Sequence, residues 1–301
     1  MKNKEYLYPL KLEPVTKSVI WGGDRLSKKY GKPSVDNLGE SWELSVRSQE
    51  QNIISNGACR GLKIGQYLEK HTDISPDSFP ILTKLIDAGD KLSVQVHPRN
   101  EKTEMWHILE ADEGATLILG VKDGVDKDTL YKASLDGSIE QYLMRVPVSA
   151  GETYFIPAGM IHAIGKGILL AEIQQNSDTT YRFYDYGRGR ELHLEQALDN
   201  LRSFTDEEIA SLQFSKKKRV RNGEILTSCE YFTVIKHKIL KKKRIKIKKI
   251  PFMSLLCTEG SGIILWKSGK EEIKAGDSFF IPNGVGTIEI RGDLTFITTT
   301  V

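Results

Sequence analysis

The sequence has few cysteines, no long apolar run and little net charge, and each of these features excludes a class of protein. Its 301 residues include three cysteines, Cys59, Cys229 and Cys257, which are far apart and form no Cys-x-x-Cys pair. This pattern argues against a disulfide framework and fits a reducing compartment. No apolar run reaches the roughly 18 residues of a membrane span, and residues 1–9 lack the apolar core of a secretory leader. We therefore expect a cytoplasmic protein without a membrane partner.

Positive and negative charges nearly balance, with 43 Lys and Arg against 40 Asp and Glu and a net charge of +3. This balance does not favour a nucleic-acid partner. Two basic runs, residues 216–219 and 241–244, are the exceptions, and the second continues into residues 245–250, where isoleucine alternates with lysine. Because no aromatic residues are interleaved, we interpret this stretch as a half-buried strand with a charged outer face, rather than as a nucleic-acid-binding surface.

Short apolar runs separated by turn residues predict a mainly β protein with a few short helices. Strands are predicted at residues 41–46, 52–54, 79–87, 92–96, 108–109, 115–119, 151–157, 168–175 and 181–186. Helices are predicted at residues 62–70, 126–144 and 191–201, and a capping pattern at residues 205–208 opens a last one. Residues 100–106 are predicted to form a short helix or a loop.

Two parts of the chain resemble each other. Residues 150–162 align without gaps on residues 275–287, and residues 109–119 align on residues 255–265. The separation between copies is 125 residues for the first pair and 146 for the second, so the first copy contains 21 additional residues between its two blocks. Two copies of a glycine-rich all-β unit predict two related jelly-roll domains.

We place the domains at residues 1–212 and 213–301, because the composition becomes markedly more basic from about residue 213. Where the first copy has His162, the second has Thr287. The shared turn therefore does not require the histidine. We expect the functional site in the N-terminal domain, with the C-terminal domain as a smaller structural partner that lacks the site.

Four polar residues have the chemistry of a divalent metal site. Gln95 and His97 alternate on one predicted strand, so both side chains leave the same face. Glu104 follows shortly, and His162 comes after a Pro-x-Gly turn. Each has an ordinary alternative, such as a hydrogen-bonded strand histidine or a carboxylate at a helix start. Together, two imidazoles, a carboxylate and an amide oxygen suit zinc with one position open to water or substrate.

The spacing Gly151-x5-Pro157-x-Gly159-x2-His162 is the second signature of the cupin superfamily, and Gln95-x-His97 with Glu104 resembles a variant of the first. With Lys102-Thr-Glu104 and the later segment Gln174 to Asp185, the whole chain resembles type I mannose-6-phosphate isomerases of the short bacterial form. The resemblance implies two cupin-type double-stranded β-helix domains and a zinc enzyme that interconverts mannose 6-phosphate and fructose 6-phosphate. It implies one Zn2+ per chain, with the ligands Gln95, His97, Glu104 and His162.

The resemblance also implies substrate contacts. Arg182 matches an active-site arginine of the family, and Lys84 and Lys102 match lysines that line its pocket; Ser93, in the motif before Gln95, is included as a further substrate contact. An ion pair with Asp178 or Asp185 is the alternative for Arg182. For Lys84 the alternative is a strand lysine whose ammonium reaches solvent. The catalytic candidates are Arg182, which would stabilise an enediolate or bind phosphate, and Lys102, for phosphate attraction or acid–base catalysis. Glu172 and Asp178 are the candidate carboxylates for proton transfer.

The sequence is also compatible with two other functions. A different metal-dependent cupin enzyme, such as an iron oxygenase, has similar ligands, but the basic residues around the site favour an anionic phosphosugar. A non-catalytic phosphosugar-binding cupin predicts binding without turnover. A phosphosugar is the expected small-molecule partner, and we expect a monomer or a weak homodimer.

Overall fold

The computed structural model describes residues 4–213, 218–220 and 223–301, and antiparallel strands dominate it. The first fifteen strands are β1 Leu10–Glu13, β2 Val15–Gly23, β3 Leu38–Leu44, β4 Val46–Arg47, β5 Glu50–Gln51, β6 Ile53–Ile54, β7 Ile81–Ala88, β8 Val94–Val96, β9 Glu104–Ala111, β10 Thr116–Val121, β11 Leu143–Pro147, β12 Thr153–Ile156, β13 His162–Ile164, β14 Ile168–Gln175 and β15 Tyr181–Tyr184. The remaining strands are β16 Lys218–Val220, β17 Gly223–Ser228, β18 Thr233–Ile239, β19 Lys242–Ile247, β20 Phe252–Trp266, β21 Gly269–Lys274, β22 Ser278–Pro282 and β23 Gly286–Thr300.

The helices are short, with six to ten residues each. They are α1 Arg25–Tyr30, α2 Ile64–His71, α3 Lys127–Asp136, α4 Leu194–Asn200 and α5 Asp206–Ser211, with 3-10 turns at Lys4–Tyr6, Gly57–Cys59, Pro76–Ser78 and Ser138–Tyr142. No helix in the described ranges is long and apolar enough to cross a membrane.

Two sheets form the N-terminal jelly roll. One has the order β12-β9-β14-β7-β2-β3 and the other the order β11-β10-β13-β8-β15. Trp106 and Leu170 of the first sheet and Leu117 and Ile164 of the second belong to one buried hydrophobic cluster. The two sheets therefore pack face to face, which matches the jelly roll that the sequence predicts.

The C-terminal jelly roll is built around two 15-residue strands, β20 and β23, which pair with each other and with four further strands of this half. Its interior is apolar and includes Leu255, Phe279, Ile288 and Phe296, all fully buried. The sheet also takes in β1 from the start of the chain, where Leu12 pairs with Ser278. The opening strand of the chain thus contributes to the second jelly roll, while the domain boundary near residue 213 stays a prediction.

The internal repeat is visible in the backbone. Gly151 and Gly276 have φ angles of 91° and 87°, and Gly159 and Gly284 have φ angles of 83° and 99°. These left-handed conformations favour glycine, which explains why both copies keep it at both turns. The additional residues of the first copy contain α3 and the 3-10 turn that follows it.

The helix predicted for residues 126–144, which lies in the additional segment of the first copy, is shorter in the structure. Asp126 is its N-cap, as its position in the sequence suggests, and accepts a hydrogen bond from the backbone N–H of Thr129 at 2.7 Å. The helix ends at Asp136 because Gly137 adopts a φ of 81°. The prediction of helix for residues 143–144 is wrong, because these residues belong to β11.

Most of the other predicted elements are present, with their ends shifted by a few residues. The prediction of a short helix or a loop for residues 100–106 is wrong for residues 104–106, because β9 begins at Glu104. In β19, Ile247 is buried while Lys242, Arg244 and Lys246 are exposed, so the half-buried strand with a charged face is confirmed. Residues 216 and 217 of the first basic run lie outside the described residues.

A buried ion pair joins the two jelly rolls. Lys32 Nζ lies 2.7 Å from Glu43 Oε1, with both side chains at most 5% exposed, and donates to the carbonyl of Gly276 at 2.8 Å. Gly276 lies in one of the repeated turns, so Lys32 connects the N-terminal half to the C-terminal half. Removing one partner of such a pair leaves an uncompensated buried charge.

We expect Lys32→Met to lower the free energy of unfolding by about 3–5 kcal/mol, because Glu43 would stay buried without its cation. Urea unfolding followed by circular dichroism measures the change. The double variant Lys32→Met/Glu43→Leu is the control and should recover most of the loss. A change below about 1 kcal/mol in the single variant would show that the pair does not stabilise the junction.

Candidate metal centre

Three neighbouring strands bring the predicted residues together. β8 lies between β13 and β15, with Gln95 opposite His162 on one side and opposite Arg182 on the other. Residues that are directly opposite in antiparallel strands project from the same face. Gln95 Nε2 accordingly lies 3.3 Å from His162 Nε2. The strand register thus aligns Gln95, His162 and Arg182 along one face of the second sheet.

Glu104 reaches this point from the first sheet. It is the first residue of β9, and its Oε1 lies 3.1 Å from Nε2 of His97, which directly follows β8. Its Oε2 lies 4.0 Å from Nε2 of His162. The candidate ligand atoms of His97, Glu104 and His162 all lie within 4.8 Å of one another, and each of the three residues is buried. The structure therefore brings together three of the four predicted metal ligands in one compact group, with Gln95 beside them.

Backbone carbonyl groups fix the orientation of both imidazoles. Nδ1 of His97 lies 3.0 Å from the carbonyl oxygen of Thr179, and Nδ1 of His162 lies 2.9 Å from that of Met160. A carbonyl oxygen only accepts, so each Nδ1 carries the hydrogen and each Nε2 presents its lone pair towards Glu104. This is the arrangement in which metal-binding histidines are usually held.

The two imidazoles are neutral at physiological pH. Burial lowers the pKa of His97 to about 3, and the adjacent Lys102 ammonium acts in the same direction. Burial also lowers the pKa of His162. Neutral imidazole is the form that binds a metal ion.

Lys102 compensates the charge of Glu104. Its Nζ lies 3.0 Å from Glu104 Oε1 and 3.1 Å from His97 Nε2. Burial opposes ionisation of Glu104, but the positive charge of the adjacent Lys102 favours it, and the pKa of Glu104 lies well below its usual value. Among the described residues, no hydrogen bond of acceptable geometry reaches Glu104 Oε1. An ionised, buried carboxylate with one incompletely satisfied oxygen, next to two imidazole nitrogens, is a suitable environment for a divalent cation.

The donor set therefore fits zinc. Two imidazole nitrogens and a carboxylate oxygen are typical of zinc sites that keep a further position open for water or substrate. A half-turn of the Gln95 amide would exchange Nε2 for Oε1 and present an oxygen at the same place. The participation of Gln95 stays a prediction.

A second buried carboxylate lies next to this group. Trp106 Nε1 donates to Glu104 Oε2 at 3.1 Å and to Glu172 Oε2 at 2.9 Å. Burial raises the pKa of Glu172, and the negative charge of Glu104 raises it further. Lys84 Nζ lies 3.2 Å from Glu172 Oε1 and 3.8 Å from Glu40 Oε2. The buried Lys84 is thus an ion-pair partner inside the protein and does not extend into solvent.

Arg182, opposite Gln95 in the strand register, has no carboxylate partner among the described residues. Its Nη1 donates to the carbonyl oxygen of Glu191 at 2.7 Å, and its buried Nε has no partner among the described residues. Asp185, one of the two proposed ion-pair partners, binds Arg188 and Arg190 instead. The alternative interpretation of Arg182 as an ion-pair residue is therefore not favoured.

The other two predicted residues have different positions. Asp178 is exposed and forms an ion pair with Arg47 at 2.7 Å, so the structure does not place its carboxylate beside Glu104 and Glu172. Ser93 is buried immediately before β8.

Sequence reasoning missed two buried residues of the site, Trp106 and Gln174. Trp106 lies two residues after Glu104, so strand alternation alone places it on the same face. Gln174 donates to the carbonyl oxygens of Gln175 and Ser177 at 2.8 and 2.6 Å, at the start of the loop that supplies the Thr179 carbonyl to His97. The alternation from Glu172 would have identified Gln174 too.

We expect His162→Ala to weaken zinc binding by at least about 100-fold. It removes one of three ligand atoms, and even the loss of a group that only orients a ligand typically weakens binding about 10- to 100-fold. Chelator competition and metal analysis of the purified protein measure the effect. His71→Ala is the matched control, since His71 stacks on the Tyr6 ring instead of facing Glu104. Equal zinc affinity in the wild type and His162→Ala would exclude this metal centre.

Comparisons with known proteins identify the family of this chain. Residues 9–115 match the family described as "Phosphomannose isomerase type I, catalytic domain", and residues 222–301 match "Mannose-6-phosphate isomerase, cupin domain". The chain is 34% identical to the mannose-6-phosphate isomerase of Streptococcus mutans over an alignment 311 residues long. The match covers 96% of this chain and 97% of that protein.

Two solved structures have the same fold. The mannose 6-phosphate isomerase of Bacillus subtilis matches with a TM-score of 0.87 and 30% identity, over 97% of this chain and 99% of that chain. The Salmonella typhimurium enzyme, described as bound to its substrate and to zinc, matches with a TM-score of 0.78 and 16% identity, over 97% and 99%. Together with the two family matches, the extent of these similarities shows that the chain belongs to the type I mannose-6-phosphate isomerase family.

Proposed function

We propose that this protein is a zinc-dependent isomerase that interconverts mannose 6-phosphate and fructose 6-phosphate. The observation that carries the proposal is the convergence of His97, Glu104 and His162, with both imidazoles held by backbone carbonyl groups. The names of the S. mutans and B. subtilis relatives support the reaction, and the Salmonella structure supports the metal and the substrate.

The metal would be held by Nε2 of His97, Nε2 of His162 and the carboxylate of Glu104, with the Gln95 amide as a further ligand. When bound, zinc supplies a Lewis acid that polarises a substrate oxygen. Lys102 lies beside Glu104 and His97, where its ammonium can donate a hydrogen bond to a substrate oxygen.

The reaction exchanges a carbonyl group and a hydroxyl group between C1 and C2 of the sugar. A base removes the C2 proton of mannose 6-phosphate while O1 takes up a proton, which gives an enediol. O2 then loses its proton as C1 is protonated, so that C2 becomes the carbonyl carbon of fructose 6-phosphate. Glu172 is the carboxylate with the strongest support for this role, because burial and the neighbouring Glu104 raise its pKa towards the working range of a proton-transfer group. Lys84 holds Glu172 from the opposite side.

Arg182 is the proposed contact for the anionic part of the substrate. Arg182 lies opposite Gln95 in the strand register, and its buried Nε has no partner among the described residues. A planar guanidinium suits either the phosphate or the developing enediolate. Ser93 and Lys84 are the further proposed contacts from the sequence.

A coupled assay on mannose 6-phosphate tests the function directly. We expect turnover by the purified chain, loss of turnover after chelation and recovery on addition of zinc, because the site needs its Lewis acid. Phosphosugar binding without turnover would support a non-catalytic binding protein instead. Full activity of the metal-free protein would overturn the role of zinc.

Matched substitutions distinguish the two candidate carboxylates. We expect Glu172→Gln to lower kcat about 10²- to 10⁴-fold while zinc stays bound, because the amide cannot accept the C2 proton. Asp178→Asn makes the same chemical change at the exposed carboxylate and should lower kcat much less. Steady-state kinetics with metal analysis measures both. A larger loss in Asp178→Asn would assign the base to Asp178.

A further inference from the structure

Trp106 contacts three functional groups with one side chain. It is fully buried on β9, and its only polar hydrogen, on Nε1, points between Glu104 Oε2 at 3.1 Å and Glu172 Oε2 at 2.9 Å. Its ring also makes an edge contact with the imidazole of His162, with centroids 5.4 Å apart and planes at 70°. A tryptophan that only filled space would not need a donor shared by two carboxylates.

The strand register explains this position. Across the first sheet, Trp42 is opposite Lys84, Lys84 is opposite Glu172, and Glu172 is opposite Trp106. The register therefore aligns an alternating row of aromatic and charged side chains. Glu172 has Lys84 on one side and the Trp106 indole on the other. The Trp106 end of this row adjoins Glu104.

We propose that Trp106 is a positioning residue of the metal centre. Its N–H holds Oε2 of Glu104, so that Oε1 faces Nε2 of His97. The same N–H keeps Glu172, a second buried carboxylate, at a fixed place beside Glu104. This inference rests on the proposed function, because it assigns Trp106 to the metal ligands named there.

Trp106→Phe removes the donor and keeps an aromatic ring. Groups that orient metal ligands typically change metal affinity about 10- to 100-fold when they are removed. We therefore expect zinc affinity, measured by chelator competition, to fall by that factor. Lys84 still holds Glu172 in this variant, so the principal loss is the orientation of Glu104.

The matched control is Trp21→Phe. Trp21 is buried in the same hydrophobic cluster, but on β2, which β14 and β7 separate from β9. Both variants lose an indole from one core, so thermal unfolding should show comparable destabilisation. Only Trp106→Phe should weaken zinc binding and change the visible absorption of the Co2+-substituted protein, which reports the ligand geometry.

The outcomes separate the inference from the function. If the wild type binds zinc and turns over substrate, but Trp106→Phe matches Trp21→Phe in zinc affinity and Co2+ spectrum, the positioning role is wrong and the proposed function stands. If the wild type binds no zinc, both are wrong.

A measurement on the wild type covers the case in which Trp106→Phe does not fold. The chain has four tryptophans, Trp21, Trp42, Trp106 and Trp266, so its ¹H–¹⁵N spectrum should contain four indole signals. Phenylalanine variants at the other three positions assign the Trp106 signal by elimination. We expect this signal to shift on addition of zinc and its hydrogen exchange to slow. An unchanged Trp106 signal in the zinc-bound protein would overturn the proposal.

Discussion

The carboxylate of Glu104 lies inside the protein, where an ionised group is costly unless other groups compensate it. Lys102 supplies a positive charge at 3.0 Å, and Trp106 supplies a hydrogen bond at 3.1 Å. The imidazoles of His97 and His162 complete the surroundings, each with Nε2 directed at the carboxylate. The rest of the site depends on this arrangement, because it concentrates negative charge and nitrogen lone pairs at one point that a divalent cation can neutralise.

The two jelly rolls share a backbone design but differ in their interiors. Both keep glycines with positive φ at the repeated turns, yet the N-terminal copy continues into His162 and the C-terminal copy into Thr287. The C-terminal interior is filled by apolar side chains such as Phe279 and Phe296. The C-terminal half is instead joined to the N-terminal half, since its sheet incorporates β1 and the carbonyl oxygen of Gly276 accepts a hydrogen bond from the Lys32 ammonium. The candidate metal centre thus lies in one copy, and the other copy is joined to it by shared structure.

Local signals in the sequence are sufficient for the fold class and the repeat, and strand alternation places Gln95 and His97 on one face. The grouping of His97 and His162 with Glu104 follows from their ligand chemistry and the family resemblance, because Glu104 reaches the site from a strand of the other sheet, at a position where the sequence predicts a short helix or a loop. Contacts that only the tertiary structure creates cannot be predicted from the sequence. The backbone carbonyl of Thr179, which orients His97, is one example, because every residue has such a carbonyl group. Asp178 illustrates the same limit, since only its ion pair with Arg47 shows that its carboxylate is at the surface. Strand alternation from Glu104 predicts the face on which Trp106 lies, but its sequence context does not distinguish it from an ordinary core aromatic residue.

An anomalous difference map from zinc-loaded crystals, recorded on both sides of the zinc absorption edge, would locate the metal directly. We predict a single strong peak per chain, bounded by Nε2 of His97, Nε2 of His162 and the carboxylate of Glu104. A zinc peak elsewhere in the chain, or none at this position in protein that is active with zinc, would contradict it.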